Sequence, residues 1–196
     1  MEKDTKSHII EVGIRLFQEK GMNRVSLNQV IKETDLSKGA FYHHFKNKEE
    51  LIVACVMAFW NNLSKEFLSI PYQELSFREL LDLLLQQYHM ILNSMETNGE
   101  NAFEFYMNIL FYIKNDNKLL DMSKGYFTQY NQILSHCLLE DQKKGIIKED
   151  VDIQTTAQHV SIASEGFALM AFSKIYDDPI PVIEKIYHQI YNSIKK

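Results

Sequence analysis

Helical periodicity runs through nearly the whole chain and leaves little room for another kind of structure. Apolar residues recur at three- and four-residue steps, as at Ile9, Val12 and Leu16 in the first segment. The 196 residues include only seven Gly and three Pro, too few for the many tight turns of an all-β fold. The pattern predicts an all-α fold whose helices lie at about 5–20, 27–34, 38–44, 48–69, 77–95, 101–114, 117–143, 153–175 and 179–194.

Several of these helices begin with a recognisable capping pattern. A Ser or Asn is followed three residues later by Gln or Glu, so that side chains can bond the free backbone N–H groups of the first turn. The pattern occurs at Ser26–Gln29, Asn47–Glu50, Ser76–Glu79 and Asn101–Glu104. Asp178 before Pro179 predicts a cap followed by proline at the first helical position.

Two predicted helices near the N-terminus, 27–34 and 38–44, are too short to be stable alone. Tertiary packing must therefore hold them, as in a compact three-helix unit. The segment 35–37 between them has the length of a helix-turn-helix turn. Leu36 is expected to be buried in that turn, and Phe41 to face the core on the second short helix.

Charge is unevenly distributed along the chain. With 21 Lys+Arg and 26 Asp+Glu the net charge is −5, which taken alone argues against a nucleic-acid partner. Residues 20–48, however, contain six cations and two carboxylates, or +4, which leaves −9 on the rest. This segment is suited either to binding DNA or simply to forming a solvated basic face.

The second short helix combines small residues with hydrogen-bond donors. Gly39 in its first turn would let the backbone approach the floor of a groove closely. Tyr42, His43 and Lys48 carry donors of the kind that contact phosphate oxygens.

Residues 4–60 resemble the DNA-binding domain of the TetR family of bacterial transcriptional regulators. The resemblance rests on the run LSKGAFYHHFKNKEEL at 36–51, and on a first helix that ends in Leu16, Phe17 and Gly21. It implies a helix-turn-helix DNA-binding domain at 1–47 and a helical domain at 48–196 that binds an effector and forms a homodimer. It also implies a repressor that a small molecule releases from a palindromic DNA operator.

The resemblance further implies a role for each matching residue. The first turn of the second short helix would face base edges, while Tyr42, His43 and Lys48 would contact phosphates. The first helix of the motif would add a phosphate or base contact. The predicted DNA-binding residues are Ser26, Asn28, Ser37, Lys38, Gly39, Ala40, Tyr42, His43 and Lys48.

Three departures from the family pattern bear on which operator is bound. Thr34 and Asp35 stand where Ala and Gly are usual, so Asp35 must take the left-handed conformation. Ala40 lacks the hydroxyl of the common Thr or Ser, and Asn28 lacks the charge of a frequent Arg.

Residues 51–196 hold 19 of the 23 aromatic side chains. They are interpreted either as core packing or as the lining of a pocket for a small molecule. Glu104 and Glu165 lie in apolar stretches where a carboxylate needs a partner or a cationic ligand, although Glu104 also fits a capping box. The pocket candidates are Trp60, Phe103, Glu104, Tyr106, Met107, Phe111, Tyr126, Tyr130, Glu165 and Phe167.

The last two helices are the predicted dimer face. Small residues on helix 153–175 permit close approach, and helix 179–194 is rich in Ile. Burial against the same protomer is the alternative. The predicted interface residues are Val160, Ala163, Phe167, Met170, Val182, Ile183, Ile186, Tyr187 and Ile190.

No motif indicates an enzyme, a cofactor or a metal. Cys55 and Cys137 are too few for a disulfide framework, and His136 with Glu140 lacks the further ligands of a metal site. No segment is long and apolar enough to suggest a membrane span or a targeting signal, so a cytoplasmic location is expected. Two alternatives to the regulator remain: a helical small-molecule carrier or enzyme, or an interaction module, whose basic unit binds an acidic protein partner.

Overall fold

The computed structural model of this chain describes residues 4–98 and 102–196, without the side chains of residues 63, 66, 94–98, 102 and 103. Within that part the fold is all-α, as predicted. The helices are α1 Thr5–Lys20, α2 Leu27–Glu33, α3 Lys38–His44, α4 Lys48–Leu68, α5 Phe77–Asn98, α6 Ala102–Asn115, α7 Asn117–Lys143, α8 Ile153–Phe172 and α9 Ile180–Ile194. A 3-10 turn, Tyr72–Glu74, precedes α5.

Two of the predicted capping boxes are present in full. Ser26 N donates to Gln29 Oε1 at 2.7 Å, and Gln29 N donates to Ser26 Oγ at 3.3 Å. Ser76 and Glu79 make the same pair of bonds, at 2.8 and 3.3 Å. These contacts explain why helix starts follow from short sequence patterns.

At the third predicted box, Glu50 N donates to Asn47 Oδ1 at 2.8 Å, but the Glu50 carboxylate accepts from Lys46 N instead of Asn47 N. Asn101, the fourth predicted cap, lies outside the described residues.

The end of α8 differs from the prediction. The helix stops at Phe172 rather than at 175, because Lys174 adopts the left-handed conformation with φ 55°. The next amide, Ile175 N, then donates back to Met170 O at 3.1 Å. This closing pattern normally uses glycine, so the sequence carried no signal for it.

The predicted cap of α9 by Asp178 is wrong. Pro179 occupies the cap position itself, with φ −77° and ψ −28°, and no side chain bonds the first turn. The carbonyl of Pro179 accepts from Val182 N at 3.0 Å instead. A proline that is already nearly helical starts the helix without a side-chain cap.

The chain divides into two compact units. Unit 1 contains the chain up to Phe67 together with Glu96–Ser123, and unit 2 contains Leu68–Met95 and Lys124–Lys196. The first four helices and α6 therefore belong to unit 1, whereas most of α5 and α7, with α8 and α9, belong to unit 2.

The core of unit 2 includes a buried carboxylate. Asp141 on α7 is fully buried, and its Oδ2 accepts from Phe77 N, the first amide of α5, at 2.9 Å. Its carbonyl accepts from Ile146 N and Ile147 N, at 2.9 and 3.3 Å. One residue of α7 thus bonds both the start of α5 and the chain that follows α7.

An antiparallel bridge joins Ile147 to Lys195 beyond the last turn of α9. On either side, Lys148 N donates to Ile194 O at 2.9 Å and Lys196 N donates to Ile146 O at 3.0 Å. The sequence showed two β-branched residues at 146–147 but no partner strand. The partner is a few residues at the far end of α9, too short to be recognised as a strand.

Candidate nucleic-acid interface

Helix α3 is held against the core of unit 1 by one apolar face. Phe41 and Phe45 are buried, with ring centroids 6.1 Å apart, as the four-residue spacing predicts. Ser37 caps the helix, since its Oγ accepts from Ala40 N at 3.2 Å. The opposite face, with Lys38 and Tyr42, is exposed to solvent.

The turn before α3 has the conformation that the helix-turn-helix interpretation requires. Asp35 is left-handed with φ 55°, in the place where the family usually has glycine. Thr34 before it is buried; its hydroxyl donates to Ile31 O at 2.8 Å, and its carbonyl bonds His8 Nε2 at 3.3 Å. Leu36 is half-buried rather than fully buried. These bonds fix the backbone directly before the left-handed residue.

Every predicted DNA-binding residue is accessible to solvent. Ala40 and Lys48 are half-buried; the exposed ones are Ser26, Asn28, Ser37, Lys38, Gly39, Tyr42 and His43. They come from three places: the start of α2, the cap and length of α3, and the start of α4. Since α3 is fixed by its opposite face, its exposed donors form a defined surface.

Lys48 is the most constrained of these cations. Its Nζ donates to Asn23 O at 3.5 Å, and burial lowers the pKa of its ammonium group below the ordinary value. An amine that is held at one site while partly shielded from water is suited to a fixed phosphate contact. Arg24, Lys32 and Lys46 are exposed in the same segment and add to its positive charge.

Helix α6 contacts this part of unit 1 at two points that the sequence did not reveal. Tyr112 Oη donates to Glu49 Oε2 at 3.2 Å, in the first turn of α4. Burial, with Glu49 beside it, raises the pKa of Tyr112 to about 12. At the other end of α6, a Cβ at Gly21 would lie 3.0 Å from both carboxylate oxygens of Glu104. Contacts between residues 63 and 83 positions apart leave no mark on local periodicity.

The pocket candidates are divided between the two units. In unit 1, Trp60 is buried, Glu104 and Tyr106 are half-buried, and Met107 and Phe111 are exposed. In unit 2, Tyr130 and Phe167 are buried, Tyr126 is half-buried and Glu165 is exposed. The side chain of Phe103 lies outside the described part of the chain. An effector pocket lined by these residues stays a prediction.

The predicted dimer residues also fall into two groups. The side chains of Val160, Phe167, Ile183 and Tyr187 are buried within unit 2 and belong to its core. Ala163, Val182, Ile186 and Ile190 are half-buried, and Met170 is exposed. The sequence pattern did not separate the two faces of α8, because apolar residues lie on both. The prediction omitted Ile162 and Leu169 of α8, whose exposed fractions are 70% and 37%.

Two kinds of feature are absent from the described part of the chain. None of its helices is long and apolar enough to cross a membrane. Nor do three or more His, Cys, Asp or Glu side chains in it gather in a group that could hold a metal ion.

Known proteins match the N-terminal segment that contains the helix-turn-helix motif. Residues 9–55 match the family described as bacterial regulatory proteins, tetR family. The TetC protein of transposon Tn10 from Escherichia coli is 43% identical over 53 residues, which are 27% of this chain and 27% of TetC. Residues 9–55 are therefore a TetR-family segment. This finding confirms the resemblance that residues 36–51 carry.

A match of lower identity extends beyond the N-terminal segment. An HTH-type transcriptional regulator of Staphylococcus aureus USA300 is 26% identical over 167 residues, 82% of this chain and 87% of that protein. Three other curated relatives are matched over only about a quarter of their own length.

Solved structures of transcriptional regulators share the fold. A regulator from Haloarcula marismortui superposes with a TM-score of 0.76 over 98% of this chain and 99% of its own, at 16% identity. A transcriptional regulator from Saccharomonospora viridis, solved with choline, gives 0.70 over 97% of both chains at 15% identity. At such identities the likeness is one of fold.

Proposed function

We propose that this chain is a DNA-binding transcriptional regulator, a homodimeric repressor that a small-molecule effector releases from a palindromic operator. The exposed face of α3 carries the proposal: its donors are held outward by Phe41 and Phe45, within a segment of charge +4. We assign DNA binding to residues 1–47, and effector binding and dimerisation to 48–196. Bacterial DNA is in the cytoplasm, so a regulator that binds an operator would act there.

In this proposal α3 is the recognition helix. Lys38, Gly39 and Ala40 would face base edges in the major groove, where small residues permit close approach. Tyr42, His43 and Lys48 would contact phosphates on either side and fix the register. The start of α2 would add contacts from Ser26, whose hydroxyl is already part of the capping box, and Asn28.

Release by an effector would act through the spacing of two recognition helices. A two-fold operator needs them about 34–36 Å apart, one turn of B-DNA, so a small shift abolishes the fit. Helix α4 leads from the motif into the rest of the chain and is the proposed mechanical link. The contacts of α6 with Glu49 and Gly21 give a second route to the same segment.

The descriptions of similar proteins favour the regulator over the carrier, enzyme and interaction-module alternatives. The Staphylococcus aureus relative and the two structural neighbours are all described as transcriptional regulators. The neighbour from Saccharomonospora viridis was solved with a small molecule, which is in keeping with a ligand-responsive regulator.

A gel-shift titration with random-sequence duplex DNA over a series of salt concentrations tests the proposal. The parent chain should bind at low salt, with affinity falling as salt rises. Lys48→Ala should weaken binding to all sequences and reduce the slope of log affinity against log salt by about 1. Lys38→Ala should also change which sequences are preferred in selection from a random pool.

Lys185→Ala is the matched control, because Lys185 is exposed on α9 in unit 2, far along the chain from the motif. It should bind duplex DNA like the parent. If Lys38→Ala and Lys48→Ala also bind like the parent, α3 is not the recognition helix. DNA binding that survives deletion of residues 1–46 would have the same meaning.

A further inference from the structure

Unit 2 gathers four tyrosines from three helices around the middle of α8. We refer to Tyr88 of α5, Tyr126 and Tyr130 of α7, and Tyr187 of α9 as the tyrosine cluster. Three of their hydroxyls meet at one residue, Ser164. Tyr88 donates to its carbonyl at 3.1 Å, and Tyr130 and Tyr187 bond its hydroxyl at 3.2 and 2.7 Å.

This anchoring fixes which part of each tyrosine a ligand could meet. Ser164 is 2% exposed, so the hydroxyl ends of Tyr88, Tyr130 and Tyr187 are turned into the interior and engaged there. Burial accordingly raises the pKa of each of these three hydroxyls above its ordinary value. For these three tyrosines the remaining interaction surface consists of ring faces and edges rather than hydroxyl groups.

The rings pack in an ordered way and reach the surface of the unit. Tyr126 stacks on Tyr130 with centroids 6.0 Å apart and an interplanar angle of 29°. Tyr88 meets Phe167 edge-on, with centroids 4.7 Å apart. Tyr130 and Phe167 are buried, whereas Tyr88 and Tyr126 are half-buried. The half-buried pair is where a small molecule could contact the cluster.

A carboxylate stands beside these rings. Glu165 follows Ser164 on α8, and its side chain is exposed. After burial, the negative charge of Glu165 is the further cause that raises the pKa of Tyr126, and it contributes to the raised pKa of Tyr88 and Tyr187. The Glu165 carboxylate is therefore part of the electrostatic environment of three of the four tyrosines.

Ring faces and a carboxylate favour the same kind of ligand. The face of a tyrosine ring carries negative partial charge, so it attracts a cation with poorly hydrated alkyl groups. The Glu165 carboxylate adds a full negative charge, which repels an anion and gains nothing from a neutral molecule. An apolar ligand would use the rings only, and an anion would be opposed by both features.

We propose that the tyrosine cluster and Glu165 form a binding site for an organic cation with a quaternary or alkylated ammonium group. Tyr88 and Tyr126 supply the accessible ring surface, and Glu165 supplies the counter-charge. The role of this cation as the effector rests on the proposed function above, whereas its binding to unit 2 is independent of DNA.

Isothermal titration calorimetry on the full chain, without DNA, tests the site with two probes of equal shape. Choline carries a quaternary nitrogen, and 3,3-dimethylbutan-1-ol has a neutral carbon in its place. Choline should bind with a dissociation constant below about 10 mM and at least about tenfold more tightly than the alcohol. Equal affinities, or no choline binding in this range, would overturn the proposal.

Variants locate the binding within the cluster. Tyr126→Leu removes a ring and should weaken choline binding about fivefold or more, whereas Tyr126→Phe keeps the ring and should stay within about twofold of the parent. Glu165→Gln removes the charge and should weaken binding about tenfold. Glu184→Gln, an exposed glutamate of α9, is the matched control and should have no effect.

Each variant is first checked for a parental thermal transition by circular dichroism. If choline binds Tyr126→Leu and Glu165→Gln as tightly as the parent, the cation site is not the tyrosine cluster. The gel shift keeps the two proposals apart: a chain that binds duplex DNA but not choline refutes the cation site alone. A chain that binds choline but not duplex DNA refutes the regulator and leaves the site intact.

Discussion

At the scale of the residue, Asp141 holds the start of one helix from the interior of another. Its Oδ2 accepts from Phe77 N at 2.9 Å. Phe77 is the first residue of α5, and at a helix N-terminus the backbone N–H groups lack partners and negative charge is favoured. Its other oxygen, Oδ1, has no hydrogen-bond partner among the described residues. The hydrogen bond to Phe77 N is therefore the contact that offsets the free-energy cost of burying this carboxylate.

We expect Asp141→Ala to lower the free energy of unfolding by about 1–3 kcal/mol, since a charge-assisted bond to a buried amide is lost. Glu140→Ala is the neighbouring control: Glu140 forms a surface ion pair with exposed Lys143, at 2.8 Å, and its loss should leave the urea midpoint unchanged. Urea unfolding followed by circular dichroism measures both. Equal midpoints for the two variants would show that the Asp141 contact does not stabilise the fold.

At the scale of the element, α1 approaches α4 through a glycine. A Cβ at Gly13 would lie 2.8 Å from Cys55 Sγ, closer than real side chains come. Cys55 is itself buried, and its thiol donates to Ile10 O at 3.6 Å. The absence of a side chain at Gly13 therefore sets how closely these two helices pack.

Gly13→Val should destabilise the chain by about 1–3 kcal/mol because it overpacks this contact. Combining it with Cys55→Ala should cost less than the sum of the two single changes, as expected for residues in contact. Gly125→Ala is the opposite control, since nothing lies within 4 Å of a Cβ there; it should stabilise by about 0.5–1 kcal/mol. Thermal or urea unfolding measures the free energy of unfolding of each variant. If the losses of stability from Gly13→Val and Cys55→Ala simply add in the double variant, the two residues are not in tight contact.

At the scale of the whole molecule, the proposed regulator requires a homodimer. The exposed apolar residues Ile162, Leu169 and Met170 follow one another along α8 at helical spacing, next to Gly166, which has open space around it. A stripe of this kind on the surface of unit 2 is suited to a symmetric contact with a second copy.

Ile162→Asp should place a charge in this contact and shift the chain to a monomer in sedimentation velocity, with loss of binding to a palindromic duplex. Met90→Asp changes an equally exposed apolar residue, 64% accessible on α5, and should remain dimeric. A parent chain that is monomeric, or an Ile162→Asp chain that remains dimeric, would remove α8 as the dimer face.

The candidate interface could be anticipated from sequence because its determinants are local. The caps at Ser26 and Ser37, the four-residue spacing of Phe41 and Phe45, and the left-handed Asp35 all act within one turn of the chain. The caps and the ring contact join residues at most four apart, so periodicity and capping patterns record them. Most helix bounds followed from the same patterns to within one residue. The differences include the end of α8, where Lys174 is left-handed without being glycine, and the start of α9, where Pro179 takes the cap position.

By itself, the sequence determined the all-α class, nearly all the helices, the basic segment at 20–48 and the resemblance of its N-terminal segment to the TetR family. Only the tertiary structure decided which face of α8 is core, that α6 meets Glu49 and Gly21, and that three tyrosine hydroxyls converge on Ser164. The physical reason is range: helix formation and capping depend on neighbours along the chain, whereas burial and clustering join residues tens of positions apart. Apolar periodicity indicates that a side chain is buried, whereas tertiary packing determines which residues it contacts.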